Sequence, residues 1–190
     1  MNESSERTDK RMELGRILFL LGAFATHAFV GYALVRGCTD VDPRLGLAFG
    51  LLPDGDFLFP ADWGWPFVHR GLTHTPLFAV GLLAGLYLAS RNRSVALAGG
   101  LAIGSHLAID SLSPMGIRWL FPLRTAWNPS PGLAVHSPAA TALLWTAALG
   151  ILAFRAIQRR SHDREPTTDH KQEHDDKQPT PTPDATTELE

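Results

Sequence analysis

The stretch ILFLLGAFATHAFVGYALV, residues 17–35, is nineteen residues long and holds no charged side chain. A helix rises 1.5 Å per residue, so this run is about 28 Å long, close to the hydrocarbon thickness of a bilayer. Basic residues precede it. We therefore predict a transmembrane helix here. The alternative is a cleaved signal peptide, because Ala23-Phe24-Ala25 resembles a cleavage site.

Four further apolar runs follow, over residues 45–52, 76–89, 95–112 and 133–153. The run 45–52 is too short to cross a bilayer and leads into Pro- and Trp-rich sequence, which indicates a short re-entrant or interfacial helix followed by irregular backbone. A four-residue connection joins the next two runs and implies antiparallel neighbours. The sequence thus predicts an all-α polytopic membrane helical bundle, with about four transmembrane helices plus the short helix.

Polarity is concentrated at the two ends of the chain. We divide it into a polar N-terminal segment, residues 1–13, a transmembrane metal-site bundle, residues 14–157, and a disordered polar C-terminal tail, residues 158–190. The net charge of -2 gives no indication of a nucleic-acid partner. The only cysteine is Cys38, which excludes an internal disulfide and a Cys-rich zinc motif.

The distribution of basic residues predicts the orientation. Four complete spans, with the run 45–52 not crossing, bring both termini to the same side of the membrane. Counting Lys and Arg near the spans favours the cytoplasm for that side. The sequence therefore predicts a multi-pass cell-membrane protein with both termini cytoplasmic.

Ionisable residues inside apolar spans are costly and need a physical reason. His27 lies in the middle of the first run, and His106 and Asp110 lie in the run 95–112. A spacing of four residues puts His106 and Asp110 on one helical face. Both could bind one cation, or Asp110 could orient His106 through its second ring nitrogen.

Further candidates lie in the connection between the second and third runs. Asp54 and Asp56 are two residues apart, so in extended backbone both carboxylates would point the same way. His69 and His74 come just before the third run. The predicted topology brings the whole set to one half of the bundle, and we predict seven metal ligands or their immediate partners: His27, Asp54, Asp56, His69, His74, His106 and Asp110. His136 is interpreted as an interface residue.

Mixed imidazole and carboxylate ligands suit zinc, and also manganese or iron. Seven ligands are too many for one tetrahedral ion, so either two ions share them or some are partners of the ligands. A bound metal would lower the pKa of a water molecule, and Asp56 is our candidate general base. Arg70 is the candidate for holding a substrate phosphate or carboxylate, the alternatives being a lipid headgroup or an Asp partner.

The motifs resemble those of the YdjM-type family of membrane-bound metal-dependent hydrolases. The matching segments are LPDGD at 52–56, HRGLTHT at 69–75, SHLAID at 105–110, SPMG at 113–116, and His27 with Gly31. The resemblance covers roughly residues 24–125. It implies a membrane-embedded metal site, and a more remote similarity to zinc-dependent phospholipase C implies hydrolysis of a phosphoester, with a lipid as one possible substrate.

We therefore expect an integral membrane metal-dependent hydrolase that uses a metal-activated water on a phosphoester or lipid-like substrate. Its expected partners are membrane lipid and a small-molecule or lipid substrate, with no nucleic acid. The alternative is a non-enzymatic membrane protein that binds or transports metal, although a carrier would need a polar path to both faces. A metal-dependent membrane peptidase is a further alternative, weakened by the lack of His-Glu-x-x-His.

Overall fold

The computed structural model describes residues 3–124 and 127–162, and all regular structure within them is helical. The α-helices are α1 (Glu3–Cys38), α2 (Arg44–Leu51), α3 (Pro76–Ser90), α4 (Arg93–Leu112) and α5 (Pro138–His162). Three short 3-10 helices lie between α2 and α3, over Pro53–Leu58, Ala61–Trp63 and Leu72–His74. The predicted all-α architecture is confirmed.

Three of these helices are long and apolar enough to cross a bilayer: Glu6–Cys38, Arg93–Leu112 and Pro138–Ser161. The helix α3 is also apolar but has only 15 residues, which is about 22 Å of rise. Large apolar side chains such as Leu18 and Leu143 are exposed on the outside of the bundle. Such a surface is suited to lipid rather than to water. The chain therefore forms a multi-pass membrane bundle of three long helices and one shorter helix.

The helix ends differ from the boundaries drawn from polarity. Helix α1 already begins at Glu3, so most of the polar segment 1–13 continues directly into the first span. Helix α5 begins at Pro138 rather than at the start of the apolar run, because the Ser137 hydroxyl accepts from the Ala140 amide (3.3 Å) and caps the first turn. It continues to His162, five residues into the predicted tail. The rest of that tail, 163–190, lies outside the described residues.

Glycines allow α2 to pack directly against the backbone of α1. A Cβ on Gly46 would overlap the carbonyl oxygen of Gly31, and a Cβ on Gly50 would lie 2.6 Å from the carbonyl oxygen of His27. Because Gly46 meets Gly31 while the later Gly50 meets the earlier His27, the two helices are antiparallel. This close approach carries the chain from the end of α1 back to the level of His27.

The directions of the long helices fix where the chain ends lie. In α5, Trp145 donates to the hydroxyl of Thr26 (3.1 Å), and Arg155 pairs with Asp40 just beyond α1 (2.7 Å). Later residues of α5 thus meet later residues of α1, so the two helices are parallel. The start of α1 and the end of α5 therefore lie at opposite ends of the bundle.

From this arrangement we predict that the two termini lie on opposite sides of the membrane, whereas the distribution of basic residues predicted that both are cytoplasmic. The sequence-based prediction assumed that the run 45–52 does not change the direction in which the chain crosses the membrane. In the structure, α2 and the 3-10 helices lead the chain back before α3 begins, so α3 runs the same way as α1. With α4 antiparallel to both, α5 again has the direction of α1.

We expect reporters fused to the two termini to lie on opposite sides of the membrane. Green fluorescent protein is fluorescent only in the cytoplasm and alkaline phosphatase is active only outside it, so each terminus can be tested with both. The parallel α1 and α5 require one terminus to give fluorescence and the other to give phosphatase activity. The same signal at both ends would contradict the helix directions.

Substitution of Gly46 by Ala should destabilise the bundle, because the new methyl group overlaps the backbone of α1. Overpacking of this kind costs about 1–3 kcal/mol, which thermal unfolding of the detergent-purified protein can detect. The matched control is Gly81→Ala in α3, where a Cβ meets nothing within 4 Å. Equal melting temperatures for the two variants would rule out the close α1–α2 packing.

Candidate metal centre

All seven residues predicted as ligands or partners meet in one cluster. Helix α1 contributes His27, helix α4 contributes His106 and Asp110, the 3-10 helix after α2 contributes Asp54 and Asp56, and the segment before α3 contributes His69 and His74. We call these seven residues the His/Asp cluster. Both His74 and His106 are completely buried, and Asp110 is only 2% exposed. Their polar atoms are thus shielded from bulk water and depend on partners within the protein, and Asp110 Oδ1 has no hydrogen-bond partner among the described residues.

Local structure explains how the side chains reach the cluster. Pro53 begins a 3-10 helix, so Asp54 and Asp56 do not lie in the extended backbone that we expected. Their carboxylates nevertheless converge, because they approach the two opposite nitrogens of the His74 ring. His74 itself is fixed just before α3, where Thr75 accepts from the Phe78 amide and Pro76 starts the helix.

Two imidazole nitrogens face each other at the centre of the cluster, with Nε2 of His74 3.2 Å from Nε2 of His106. Nδ1 of His106 lies 2.7 Å from the carbonyl oxygen of Gly50, which can only accept, so this nitrogen carries a proton. Nδ1 of His74 lies 3.0 Å from a carboxylate oxygen of Asp56 and is fixed as a donor in the same way. In the neutral rings both Nε2 atoms therefore present lone pairs, and either a proton or a metal cation between them would stabilise the pair.

Two carboxylates surround the same point. Asp54 Oδ1 lies 3.6 and 3.7 Å from Nε2 of His74 and His106. Asp110 Oδ2 lies 3.4 and 3.6 Å from the same two atoms. Metal–ligand bonds of 2.0–2.1 Å give a tetrahedron with edges of about 3.3–3.4 Å. These separations and the 3.2 Å between the two Nε2 atoms are close to such edges, and the groups of three that lie near enough to share an ion are His27-His106-Asp110, Asp54-His74-His106 and Asp56-His69-His74. We take Asp54, His74, His106 and Asp110 as the candidate ligands of one ion and call them the four-donor set.

Asp56 lies behind His74 and is fully engaged. One oxygen is 3.1 Å from Nδ1 of His69, and the other accepts from the Arg70 amide (3.0 Å), the Thr73 hydroxyl (3.2 Å) and His74. Burial by itself raises the pKa of Asp56, but the hydrogen bonds from His69 and His74 have the larger combined effect. They hold the pKa well below its ordinary range. Such a carboxylate orients and polarises a ligating histidine, and this geometry gives no support to Asp56 as a general base.

The other oxygen of Asp110 faces a different set of groups. Its Oδ1 lies 3.1 Å from Nη2 of Arg70, 3.4 Å from Nε2 of His27 and 3.5 Å from Nε2 of His136. The guanidinium of Arg70 also donates to the hydroxyl of Ser113 and to the carbonyl oxygen of Asp110 (3.3 Å). Of the alternatives considered for Arg70, the structure therefore shows the Asp partner, while its Nε has no partner in the described part of the chain.

His136 is the residue that the sequence interpretation missed. It lies in the loop just before α5, where a histidine is by default an interface residue, yet its ring centroid is 5.5 Å from that of His27. The sequence pattern His, then Ser or Thr, then Pro could have indicated its role. His136-Ser137-Pro138 precedes α5 in the way that His74-Thr75-Pro76 precedes α3. In both places the proline and the capping hydroxyl start a helix and hold the preceding histidine at its end.

A cavity of about 280 Å³ gives access to the cluster. One side of it is polar, and the other is formed by apolar side chains of α1 and of nearby loops. The polar side consists of His27, Asp54, His69, Arg70, Asp110, Ser113 and His136. Asp56 does not line the cavity. A concave, largely apolar pocket with a few converging polar groups is typical of a small-molecule binding site.

The charges of the site are compatible with a bound divalent cation. The carboxylates Asp54, Asp56 and Asp110 are negative, and Arg70 is the only Lys or Arg of the described residues within 4 Å of them. Two negative charges are therefore uncompensated in a buried site, which is costly. Burial lowers the pKa of His74, but hydrogen bonds to Asp110, Asp54 and Asp56 raise it to about 10. In the absence of an ion the cluster thus attracts a proton.

We expect His74→Ala and Asp110→Ala each to abolish tight metal binding, because each removes a member of the four-donor set. Asp56→Asn should retain a weakened site, since loss of a partner behind a ligating histidine typically costs about 10–100-fold in affinity. Elemental analysis of purified protein, followed by metal titration, measures both. Asp62→Ala is the matched control, because Asp62 is exposed and outside the cluster. Unchanged metal content in both alanine variants would contradict the site.

The comparison with known proteins agrees with these observations. The family model described as YdjM inner membrane protein matches residues 23–165, a range that contains every residue of the His/Asp cluster and His136. No curated protein and no solved structure matches the chain. Since the matched range covers most of the 190 residues, the chain belongs to the YdjM inner membrane protein family.

Proposed function

We propose that this protein is a membrane-embedded, metal-dependent hydrolase that cleaves a phosphoester. The observation that carries the proposal is the pair of facing Nε2 atoms of His74 and His106, 3.2 Å apart, with the carboxylates of Asp54 and Asp110 around them. This arrangement suits a metal cation, and two of its members, Asp54 and Asp110, line a cavity. A purely structural metal site would need no such cavity.

The charges of the site favour one ion rather than two. The side of Asp110 that a second ion would occupy is already taken by the Arg70 guanidinium, 3.1 Å from Oδ1. Two nitrogen and two oxygen donors at tetrahedral spacing suit zinc best, with manganese or iron as alternatives. A bound divalent ion would lower the pKa of water and so supply a nucleophile at neutral pH.

We assign the proton transfer to His69 rather than to Asp56. Nδ1 of His69 lies 3.1 Å from Asp56 Oδ1, which fixes the proton on that nitrogen and leaves Nε2 as an acceptor. The side chain lines the cavity and is 31% exposed, so it can exchange protons with water. No group of the described residues bonds to its Nε2. His69 would accept a proton from the attacking water and return it to the leaving oxygen.

Arg70 would hold the negative group of the substrate. Two of its nitrogens are held by Asp110 and Ser113, which fixes the guanidinium plane. Its Nε is buried, has no partner among the described residues, and belongs to a side chain that lines the cavity. A rigid guanidinium suits a phosphate oxygen. In the reaction, the water oxygen bonds to phosphorus as the bond to the ester oxygen breaks, and the released alcohol takes up the proton.

The alternative of a metal carrier receives less support from the packing. Towards the ends of α1 and α4 that are far from the site, the buried hydrophobic residues are Val35, Phe49, Ala98, Ala102 and Ile103. The buried hydroxyl of Thr39 is bonded to the Val35 carbonyl oxygen (2.7 Å). Among the described residues, this part of the bundle holds no buried ionisable side chain that could carry an ion to the other membrane face. A site that opens to one side favours chemistry over transport.

Purified protein in lipid nanodiscs should hydrolyse bis(p-nitrophenyl) phosphate, lose that activity on chelation, and regain it when zinc or manganese is added. His69→Gln should lower the rate about 100-fold or more, within the range of general acid–base catalysis, while keeping its metal content. Asp62→Asn is the control and should behave as the unaltered protein does.

Two results would contradict the proposal. One is no metal-dependent hydrolysis of any phosphoester together with metal uptake into proteoliposomes, which would establish a carrier. The other is full activity of His69→Gln, which would remove His69 from the proton transfer.

A further inference from the structure

One side of the cavity beside the cluster is apolar, although the hydrolytic chemistry does not need it. Four of its residues come from α1 at positions 19, 20, 23 and 24, the spacing of a single helical face. Phe57 and Met115 extend this surface from the loops after α2 and α4. We define the apolar wall as Phe19, Leu20, Ala23, Phe24, Phe57 and Met115.

The apolar wall is continuous with the surface that faces lipid. Its α1 residues belong to the uncharged run 17–35, the part of the helix at bilayer depth. Phe19 is 54% exposed and Met115 is 58% exposed, so the wall extends to the outside of the bundle. The cavity thus connects the hydrocarbon region with the buried cluster.

The polar groups begin one turn further along the same helix. Ala23 and His27 are four residues apart, which is about 6 Å along α1, and both line the cavity. On the polar side, Arg70 and His69 carry the unpartnered nitrogens assigned above to the phosphate and the proton. A ligand that fills the whole cavity must therefore be apolar at one end and anionic at the other.

We propose that the substrate is a membrane lipid that enters sideways from the bilayer, with an acyl chain along the apolar wall and its phosphoester at Arg70 and the metal site. This inference rests on the proposed function for the bond that is cleaved. A water-soluble phosphodiester would contact only the polar side of the cavity and would leave the apolar wall uncovered.

Ala23 provides the most direct test, because a larger side chain there fills the apolar part of the cavity without touching a ligand. Two p-nitrophenyl phosphodiesters are compared in nanodiscs, one with a methyl arm and one with a dodecyl arm. We expect kcat/KM of the unaltered protein to be at least tenfold higher for the dodecyl ester. Ala23→Phe should remove that preference, with a much larger loss for the dodecyl ester than for the methyl ester, while metal content is unchanged. Leu21→Phe is the control, since Leu21 lies on the same helix but does not line the cavity.

Equal kcat/KM for the two esters in the unaltered protein would overturn the inference and leave a hydrolase of soluble phosphoesters. An equal loss of kcat/KM for both esters in Ala23→Phe would also overturn the inference, because the substitution would then have disturbed the site as a whole rather than the binding of an acyl chain.

A binding measurement separates this inference from the hydrolase proposal. A dodecyl phosphonate with a photoactivatable diazirine on its chain cannot be hydrolysed, and its attachment sites can be mapped by mass spectrometry. We expect labelling of residues 19–24 in excess of that by a probe with the same chain and a neutral headgroup, and loss of the excess in Ala23→Phe. Excess labelling without turnover of any ester would refute the hydrolase alone, whereas equal labelling by both probes would refute the lipid site.

Discussion

The structure depends on one constraint at its centre, the two lone pairs that His74 and His106 direct at each other. Each ring is held from behind by an acceptor, a carboxylate for His74 and the Gly50 carbonyl for His106. A backbone carbonyl can serve this purpose only because α2 packs against α1 without side chains between them. The glycines of α2 thus help to position a candidate ligand, although they have no side chain that could bind a metal.

Asp110 divides the cluster into two parts with different chemistry. Its Oδ2 belongs with the facing imidazoles, and its Oδ1 belongs with Arg70, His27 and His136. The guanidinium therefore lies where a second ion would otherwise be expected. Because Arg70 and the proposed ion share the carboxylate of Asp110, their positions are coupled. A substitution that moves one of them should therefore also move the other.

Much of the site was predictable because single side chains in apolar spans need partners. His106 and Asp110 followed from helical spacing, and His27 from its cost in a bilayer. The backing of His106 by Gly50 was not predictable, since it depends on a contact between backbones far apart in sequence. The role of Asp56 and the place of His136 depended likewise on the 3-10 helices and on the entry to α5. The helix directions were not predictable from the sequence, because α2 reverses the direction of the chain without crossing the membrane.

X-ray absorption at the edge of the bound metal, on purified protein with its ion, tests the central claim most directly. We expect a shell of four nitrogen and oxygen donors at about 2.0–2.2 Å, with the outer-shell scattering of two imidazole rings, and one ion per chain. A shell of oxygen donors without imidazole scattering would contradict the account, since the ion would then lie elsewhere than between His74 and His106.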